Sequence, residues 1–277
     1  MIFNTVIDAI TLAELLAASG VVVIDCRFYL GNEDAGRQAY ELGHIPTAQY
    51  VHLNEDLSDL SIRGNGRHPL PSEESMSLLF GRLGISAGKQ VVVYDDTNGA
   101  AAARLWWMLR YMGHEKVAVL DGGLPAWIAA GFSLVPGVEE NTPLDFVGHV
   151  RADLLVQMSD VGSEGVLIDS RLPERYRGEM EPIDPVAGHI PGARNHSYHK
   201  NYDSDGRLLA PSDLRQQFEQ VLGGVPAEET TFYCGSGVTA CNNLLALAYS
   251  DLGDGRLYVG SWSQWCGEPQ NPIAAGE

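Results

Sequence analysis

The feature that most constrains this chain is an internal repeat within its 277 residues. Apolar runs that end in Asp-x-Arg occupy residues 21–27 and 166–171, and a Gly-His-Ile-Pro motif follows at 43–46 and again at 188–191. A strand-then-loop segment and a Trp-containing closing segment also recur in the same order, and the four offsets between the copies lie between 138 and 145 residues. Four landmarks at a nearly constant spacing indicate a duplicated unit.

Each copy alternates short apolar runs with amphipathic stretches of helical period. This pattern predicts an α/β protein with two tandem domains, each a mostly parallel central sheet flanked by helices. Residues 135–143 are rich in Pro, Gly and charge and lose this periodicity, so we expect a linker there and a boundary near residue 145. The expected domains are residues 1–140 and 150–277.

The charge balance restricts the partners. Thirty-six acidic residues against 18 Lys and Arg give a net charge of −18, whereas nucleic acids and anionic membranes require a basic surface. We therefore expect neither as a partner. The chain has no apolar run of membrane-spanning length and no basic segment before an apolar N-terminal stretch, so we expect a cytoplasmic protein. Its four cysteines include no C-x-x-C pair, so we expect neither a disulfide framework nor a bound metal.

The strongest indication of chemistry is Cys234. An apolar β-type run over residues 230–233 leads into this cysteine, and an apolar helical pattern covers residues 240–249 after a tight loop. The thiol is thus expected at the carboxyl end of a strand and against a helix N-terminus, where ligands gather in α/β folds. Cys234 is the predicted nucleophile; the alternative is a buried structural cysteine.

The loop after Cys234 can bind an anion through its backbone. Amides that curl over the sulfur, with a helix dipole behind them, favour the thiolate, and glycines let the backbone approach closely. The residues predicted to form this amide cradle are Gly235, Gly237, Val238 and Thr239.

The first copy serves as an internal control. It carries Asp95 where the second copy carries Cys234, and an aspartate cannot perform thiolate chemistry. We therefore predict that residues 1–140 are noncatalytic and close one side of the site, and that residues 150–277 are catalytic.

These motifs together resemble the tandem-domain rhodanese sulfurtransferases. The resemblance rests on Gly-His-Ile-Pro-x-Ala in each half, on residues 103–110 with the later Asp-Gly-Gly, and on the loop Cys-Gly-Ser-Gly-Val-Thr-Ala. The resemblance implies that Cys234 cycles through a persulfide and that no cofactor is needed. The implied donor is a small sulfur-containing anion, thiosulfate or 3-mercaptopyruvate, and the implied acceptor is a thiophile such as cyanide or a thiol. Departures are Thr47 in place of a glycine, and Val259 and Gln264 in place of acids in the closing motif.

The resemblance also bears on the donor. Thiosulfate-type members resemble Cys-Arg-Lys-Gly-Val-Thr, whereas mercaptopyruvate-type members carry Cys-Gly-Ser-Gly-Val-Thr, as here. A leaving enolate needs a proton donor, and the hydroxyl of Ser236 meets that need. The resemblance implies a Ser-His-acid relay with His68 as the histidine and an acid near Asn54 or Asp56. Alternatively, Ser236 bonds only to loop backbone and His68 is a surface turn residue.

Arg175 matches the substrate-binding arginine of the family, and a guanidinium suits a carboxylate or sulfonate. Mercaptopyruvate enzymes typically have another arginine a few residues later, where this chain has Glu-Pro-Ile-Asp-Pro at 181–185, so both donors stay open. Because Arg27 and His44 repeat Arg171 and His189 in the other half, we predict structural roles for all four.

Trp262 stands where the first copy has Leu124. Its ring is therefore special to the second copy, and two roles are open: a substrate-binding wall of the pocket, or a core side chain. Cys241 lies seven residues after Cys234 with a helix between them, which makes a disulfide between the two unfavourable on distance grounds.

Two rival functions remain. A cysteine phosphatase shares the strand, Cys loop and helix arrangement, but it needs an arginine at the end of the loop, where this chain has Thr239, Ala240 and Cys241. A noncatalytic rhodanese module that binds or regulates a partner is expected to lack the cysteine, which is present here.

Overall fold

A computed structural model describes residues 2–18, 20–163 and 165–277, and the chain divides into two compact units. The first unit includes the chain up to Ser58, Pro71–Arg151 and Ser204–Arg207, and the second includes Asp59–Leu70, Ala152–Asp203 and Leu208–Glu277. In this division residues 59–70 group with the second unit and the chain up to residue 151 groups with the first, while the domain bounds 1–140 and 150–277 stay a prediction. The assignment of one domain as noncatalytic and the other as catalytic stays a prediction.

The first unit is built on a five-stranded parallel sheet in the order β1-β5-β4-β2-β3. The strands are β1 (Val6–Ile7), β2 (Val21–Asp25), β3 (Gln49–Tyr50), β4 (Gln90–Tyr94) and β5 (Val117–Leu120). The helices are α1 (Ala9–Ala17), α2 (Ala35–Leu42), α3 (Glu73–Arg82), α4 (Ala100–Tyr111) and α5 (Gly123–Ala129).

The second unit repeats this topology with the order β6-β10-β9-β7-β8, again entirely parallel. The strands are β6 (Leu155–Val156), β7 (Val166–Asp169), β8 (Arg194–Asn195), β9 (Thr230–Tyr233) and β10 (Arg256–Tyr258). The helices are α6 (Pro173–Tyr176), α7 (Pro211–Leu222), α8 (Ala240–Tyr249) and α9 (Ser261–Trp265), with 3₁₀ turns at Ala152–Leu154, Met158–Asp160, Tyr198–Asn201 and Ala227–Glu229.

The central strands are buried on both faces, as parallel sheets require. Every residue of β4, β7 and β9 is buried, and their sequences are rich in β-branched and aromatic side chains. Parallel neighbours need crossover connections, and the intervening helices supply them. The predicted α/β class with two flanked parallel sheets is confirmed.

A buried ion pair lies at the end of one central strand in each unit. Arg27 binds Asp25 at 2.6 Å, and Arg171 binds Asp169 at 2.5 Å, with both pairs almost fully buried. Burial opposes the charged form of Arg171, but Asp169 outweighs this effect and raises the pKa of the guanidinium. The predicted structural role of both arginines is confirmed, because each guanidinium forms a buried ion pair with the aspartate two residues before it.

The two repeated histidines are also part of the architecture. His44 bonds through Nδ1 to the carbonyl of Tyr40 at 2.9 Å, and His189 bonds in the same way to Tyr176 at 2.8 Å. Each imidazole stacks on the ring of the same tyrosine, with centroids 4.2 and 3.8 Å apart. Identical contacts in both units support a packing role.

The predicted linker lies along the first unit. Between residues 136 and 151 the chain forms no helix or strand, but it is held by backbone hydrogen bonds. The amides of Leu144 and His149 donate to Gly81 and Met112, each at 2.9 Å. Within the described residues, no helix has the length and apolar character needed to cross a membrane.

Candidate active site

Cys234 follows β9 directly and stands six residues before α8. Its side chain is buried, with 1% of the residue exposed, and the amide of Gly237 donates to Sγ at 3.2 Å. The thiol therefore lies within the loop that the sequence predicted as its amide cradle.

The loop requires glycine at position 237. Gly237 has a φ of +76°, a region that favours glycine, and a Cβ there would overlap the carbonyl oxygen of Val259. A side chain at this position would push the loop away from residue 259 and move the amide that contacts Sγ.

The segment 260–263 fixes the backbone on both sides of the thiol. The amides of Trp262 and Ser263 donate to the carbonyls of Cys234 and Gly235, each at 2.9 Å. The hydroxyl of Ser261 accepts the amide of Cys234 at 3.1 Å and donates to Tyr258 at 2.9 Å. No sequence motif indicates this role of Ser261, because the role depends on contacts between distant segments.

Ser236 and His68 are in direct contact. The Nδ1 atom of His68 lies 2.7 Å from Oγ of Ser236, and the hydroxyl lies two residues from the nucleophile. Ser236 is 7% exposed and His68 is half-buried. Of the two predicted arrangements, the hydroxyl-imidazole pair is the one that this geometry fits.

The acid of the relay stays an open prediction. Asp56 accepts the amide of His52 at 2.8 Å and pairs with Arg82 at 2.7 Å, so both of its oxygens are engaged there. The amide of Asn54 donates to Nδ1 of His52 at 3.2 Å.

Two guanidinium groups face Gly235. A Cβ built on this glycine would lie 2.7 Å from Nη2 of Arg67, and 3.5 and 3.6 Å from Nη2 and Nη1 of Arg175. The sequence predicted Arg175 but missed Arg67, because the second arginine was sought downstream of Arg175. Its position next to His68 was the signal that could have found it.

Two buried carboxylates hold these arginines. Glu181 binds Arg175 at 2.6 Å and Arg171 at 3.3 Å, and Asp184 pairs with Arg67 and, at 3.4 Å, with Arg175. Burial raises the pKa of the Glu181 carboxyl, but hydrogen bonds from Arg175 and two loop amides outweigh it, so this pKa lies below its ordinary value. Glu181 therefore acts as a fixed negative charge beside the arginine pair.

Trp262 belongs to the core of the second unit. Its side chain is fully buried, and its indole Nε1 donates to the carbonyl of Val186 at 2.9 Å. The guanidinium of Arg171 lies 4.8 Å from the ring centroid. Of the two predicted roles this geometry fits packing, and it does not support the substrate-binding role because no ring surface is accessible.

The corresponding loop of the first unit contains its own anion. The carboxylate of Asp95 accepts the amides of Thr97 and Gly99 at 2.9 Å, and those of Ala101 and Ala102 at 3.1 Å. Burial raises the pKa of this carboxyl against the effect of the hydrogen bonds. An aspartate thus fills the first cradle, while a thiol occupies the second. Cys234 and Cys241 are both free cysteines in this structure.

The folds and motifs of both units match a family model. The rhodanese-like domain model matches residues 8–130 and again residues 151–268. The chain is therefore a tandem rhodanese-domain protein. The chain is 45% identical over 273 residues to a probable 3-mercaptopyruvate sulfurtransferase of Pseudomonas aeruginosa, with 96% of each chain covered. It is 41% identical over 278 residues to a putative thiosulfate sulfurtransferase of Mycobacterium tuberculosis, again with 96% of each chain covered.

A solved structure shows the same fold. The 3-mercaptopyruvate sulfurtransferase from Leishmania major superposes with a TM-score of 0.86 at 29% identity, covering 98% of this chain and 76% of that one. The chain belongs to the thiosulfate/3-mercaptopyruvate sulfurtransferase family of tandem rhodanese-domain proteins. The predicted family and the predicted sulfurtransferase class are confirmed, and the class requires a sulfur donor and a sulfur acceptor.

Proposed function

We propose that Cys234 carries the transferred sulfur as a persulfide and that 3-mercaptopyruvate is the preferred donor. The contact of 2.7 Å between Ser236 and His68, two residues from the nucleophile, carries this proposal. A hydroxyl backed by an imidazole can donate a hydrogen bond or proton to a developing enolate, whereas the sulfite that leaves thiosulfate has no such need.

The donor step follows from these groups. The Cys234 thiolate attacks the sulfur of 3-mercaptopyruvate, the S–S bond forms, and the C–S bond breaks with its electron pair passing into the ketone to give an enolate. Ser236, with His68 behind it, stabilises the enolate oxygen. The proton of the donor thiol moves to the enolate carbon, which leaves the Cys234 persulfide anion and pyruvate.

The guanidiniums of Arg67 and Arg175 bind the donor carboxylate. Both face Gly235, the residue after the nucleophile, and paired arginines suit the planar geometry of a carboxylate. Arg67 thus supplies the second arginine, which was expected downstream of Arg175. The amides of residues 235–239 stabilise the outer sulfur of the persulfide.

The acceptor step returns the enzyme to its starting state. A thiophilic anion such as cyanide attacks the outer sulfur, the S–S bond breaks, and thiocyanate leaves with the Cys234 thiolate restored. A thiol acceptor reacts in the same way and gives a new persulfide. The cytoplasmic location expected from the sequence stays a prediction.

Thiosulfate is the second candidate donor. The same arginine pair can bind a sulfonate oxygen, and a relative with 41% identity is described as a putative thiosulfate sulfurtransferase. With this donor, the outer sulfur transfers to Cys234 and sulfite leaves with the bond pair, so Ser236 and His68 are not required.

Intact-mass measurement of the protein after exposure to each donor tests the proposal. One added sulfur, about 32 Da, is expected on the wild type with 3-mercaptopyruvate, as for persulfidation of a nucleophilic thiol. Cys234→Ser should abolish the adduct, while Cys266→Ser serves as the matched control and should retain it. An adduct that survives in Cys234→Ser, or that forms only with thiosulfate, would contradict the nucleophile or the donor assignment respectively.

A further inference from the structure

The arginine pair beside Cys234 is joined by a single buried carboxylate. Asp184 is almost completely buried, with 3% of its side chain exposed, and its two oxygens face different partners. Oδ1 pairs with Nη1 of Arg67, and Oδ2 lies 3.4 Å from Nη2 of Arg175. Asp184 therefore sets the distance between the two guanidiniums.

The turn that carries Asp184 is itself fixed. Glu181 accepts the amides of Ile183 and Asp184 at 3.1 Å each, and the same carboxylate binds Arg175. The side chain of Asp184 is thus aimed at the arginines by a closed turn, and its position does not depend on a bound donor.

Each guanidinium presents toward Gly235 one nitrogen that Asp184 does not bind. Nη2 of Arg67 faces Gly235, whereas Nη1 pairs with Asp184. Both terminal nitrogens of Arg175 face Gly235, with Nη2 at 3.5 Å and Nη1 at 3.6 Å from a Cβ built there, but the contacts to Glu181 and Asp184 use only Nε and Nη2. An incoming anion can therefore bind Nη2 of Arg67 and Nη1 of Arg175 without displacing Asp184, and it does so in the field of that carboxylate.

Asp184 and Glu181 also remove the excess positive charge of this cluster. Three arginines face three carboxylates, so the formal charge of the group is zero: Arg67, Arg171 and Arg175 against Asp169, Glu181 and Asp184. The repulsion between a fixed carboxylate and a bound anion scales with the charge of the anion. A dianion such as thiosulfate consequently loses about twice as much from Asp184 as the single carboxylate of 3-mercaptopyruvate.

We infer that Asp184 is a specificity-determining residue, which positions Arg67 and Arg175 for one carboxylate and disfavours doubly charged donors. This inference rests on the proposed function, because it concerns the choice between two donors of the same Cys234 site. Asp184 does not touch the reacting atoms; it acts by positioning the two arginines and through its own negative charge.

The test compares donor selectivity in Asp184→Asn and in the wild type. Asparagine keeps the volume and an acceptor oxygen for Arg67 but removes the charge. The ratio of kcat/KM for thiosulfate to that for 3-mercaptopyruvate should rise on the order of tenfold, mainly through a lower KM for thiosulfate. The rise should largely persist at high salt, since salt screens buried charges much less than exposed ones.

Two further variants complete the design. Glu179→Gln removes one carboxylate from the same segment, where Glu179 pairs at 2.7 Å with Arg177 and is exposed, and it should leave the ratio unchanged. Asp184→Ser removes the same charge with a smaller side chain and should shift the ratio in the same direction, which separates the charge effect from any misfit of the amide.

A folded Asp184 variant that loses activity equally with both donors, or keeps the wild-type ratio, overturns this role of Asp184. The proposed function fails separately, by the absence of a persulfide on Cys234 of the wild type with either donor, and the inference falls with it. Folding of each variant is checked by circular dichroism and thermal denaturation.

Discussion

The hydroxyl of Ser261 accepts the backbone N–H of Cys234 at 3.1 Å, and Ser261 does so from the left-handed region, with φ of +54°. The equivalent residue of the first unit is Gly123, with nearly the same φ of +57° but no side chain. A serine in this conformation carries backbone strain that a glycine avoids. The second unit thus keeps a strained residue where it fixes the backbone of the nucleophile.

Ser261→Ala should be more destabilising than Ser261→Gly. Alanine keeps the strain and leaves the buried amide of Cys234 without its acceptor, which costs about 2 kcal/mol. Glycine loses the same hydrogen bond but relieves roughly 1 kcal/mol of strain. Urea unfolding of the three proteins measures the difference. Equal or reversed stability of the two variants would show that the conformation of residue 261 is not strained.

Ser236→Ala should separate the two donors. Loss of the hydroxyl should lower kcat with 3-mercaptopyruvate on the order of a hundredfold, as for removal of a general acid, and leave thiosulfate turnover nearly unchanged. His68→Asn should give a similar loss, and the double variant should lose little more, because the two side chains act as a unit. The exposed Ser61→Ala is the control for a serine in the same unit. An equal loss with both donors would argue against proton transfer by Ser236.

Gly235→Ala should weaken donor binding. The new methyl group would lie 2.7 Å from Nη2 of Arg67, so the guanidinium must move away from the loop. KM for either donor should rise on the order of tenfold, an effect typical of a lost charged hydrogen bond, with a smaller change in kcat. Gly88→Ala, where a Cβ meets nothing within 4 Å, is the matched control. An unchanged KM would show that Arg67 does not contribute to donor binding.

His196 should make the second unit sensitive to mild acid. Burial lowers the pKa of this imidazole to about 4 from an ordinary value of 6.5, and Nε2 contacts the amide oxygen of Asn201 at 3.1 Å. Because the unfolded chain binds a proton below pH 6.5 and the folded chain does not, stability is complete above that pH and falls as the pH decreases toward 4. The loss at pH 4 is about 3 kcal/mol for this group. His196→Gln should flatten the pH dependence of urea unfolding, and an unchanged slope would contradict a buried neutral imidazole.

Asp95→Asn should destabilise the first unit. The carboxylate accepts four amides, and an amide side chain can replace only one of its two oxygens, so two buried N–H groups lose their acceptor. We expect a loss of about 3 kcal/mol, measured by urea unfolding. The exposed Glu14→Gln provides the control for a lost surface charge. Unchanged stability would mean that the first loop does not depend on its internal anion.

Much of the fold could be predicted because its signals are local and repeated. The apolar run at 21–24 became β2, one residue longer, and the helical pattern at 240–249 became α8 with the same bounds. The repeat also predicted a structural role for Arg171 rather than a catalytic one, and the same ion pair does occur in the other unit.

The parts of the site that could not be predicted depend on distant segments. Arg67 lies next to Gly235 although the two residues are far apart in the sequence, and no sequence motif links them. Ser261 contributes a hydrogen bond to the backbone amide of Cys234, which a sequence pattern does not show. The burial of Trp262 likewise follows from packing against Val186 and Arg171, which periodicity in a short closing helix does not reveal.

The inclusion of Asp59–Leu70 in the second unit has a consequence for how this chain can be divided or inherited. A cut at the end of the first repeat leaves Cys234 on one piece and both Arg67 and His68 on the other. On the proposed mechanism, the half with Asp95 cannot be discarded even though it contains no nucleophile. A chain that begins after residue 151 would keep Cys234, Arg175 and Asp184 but would lack the imidazole partner of Ser236 and one of the two arginines that face Gly235.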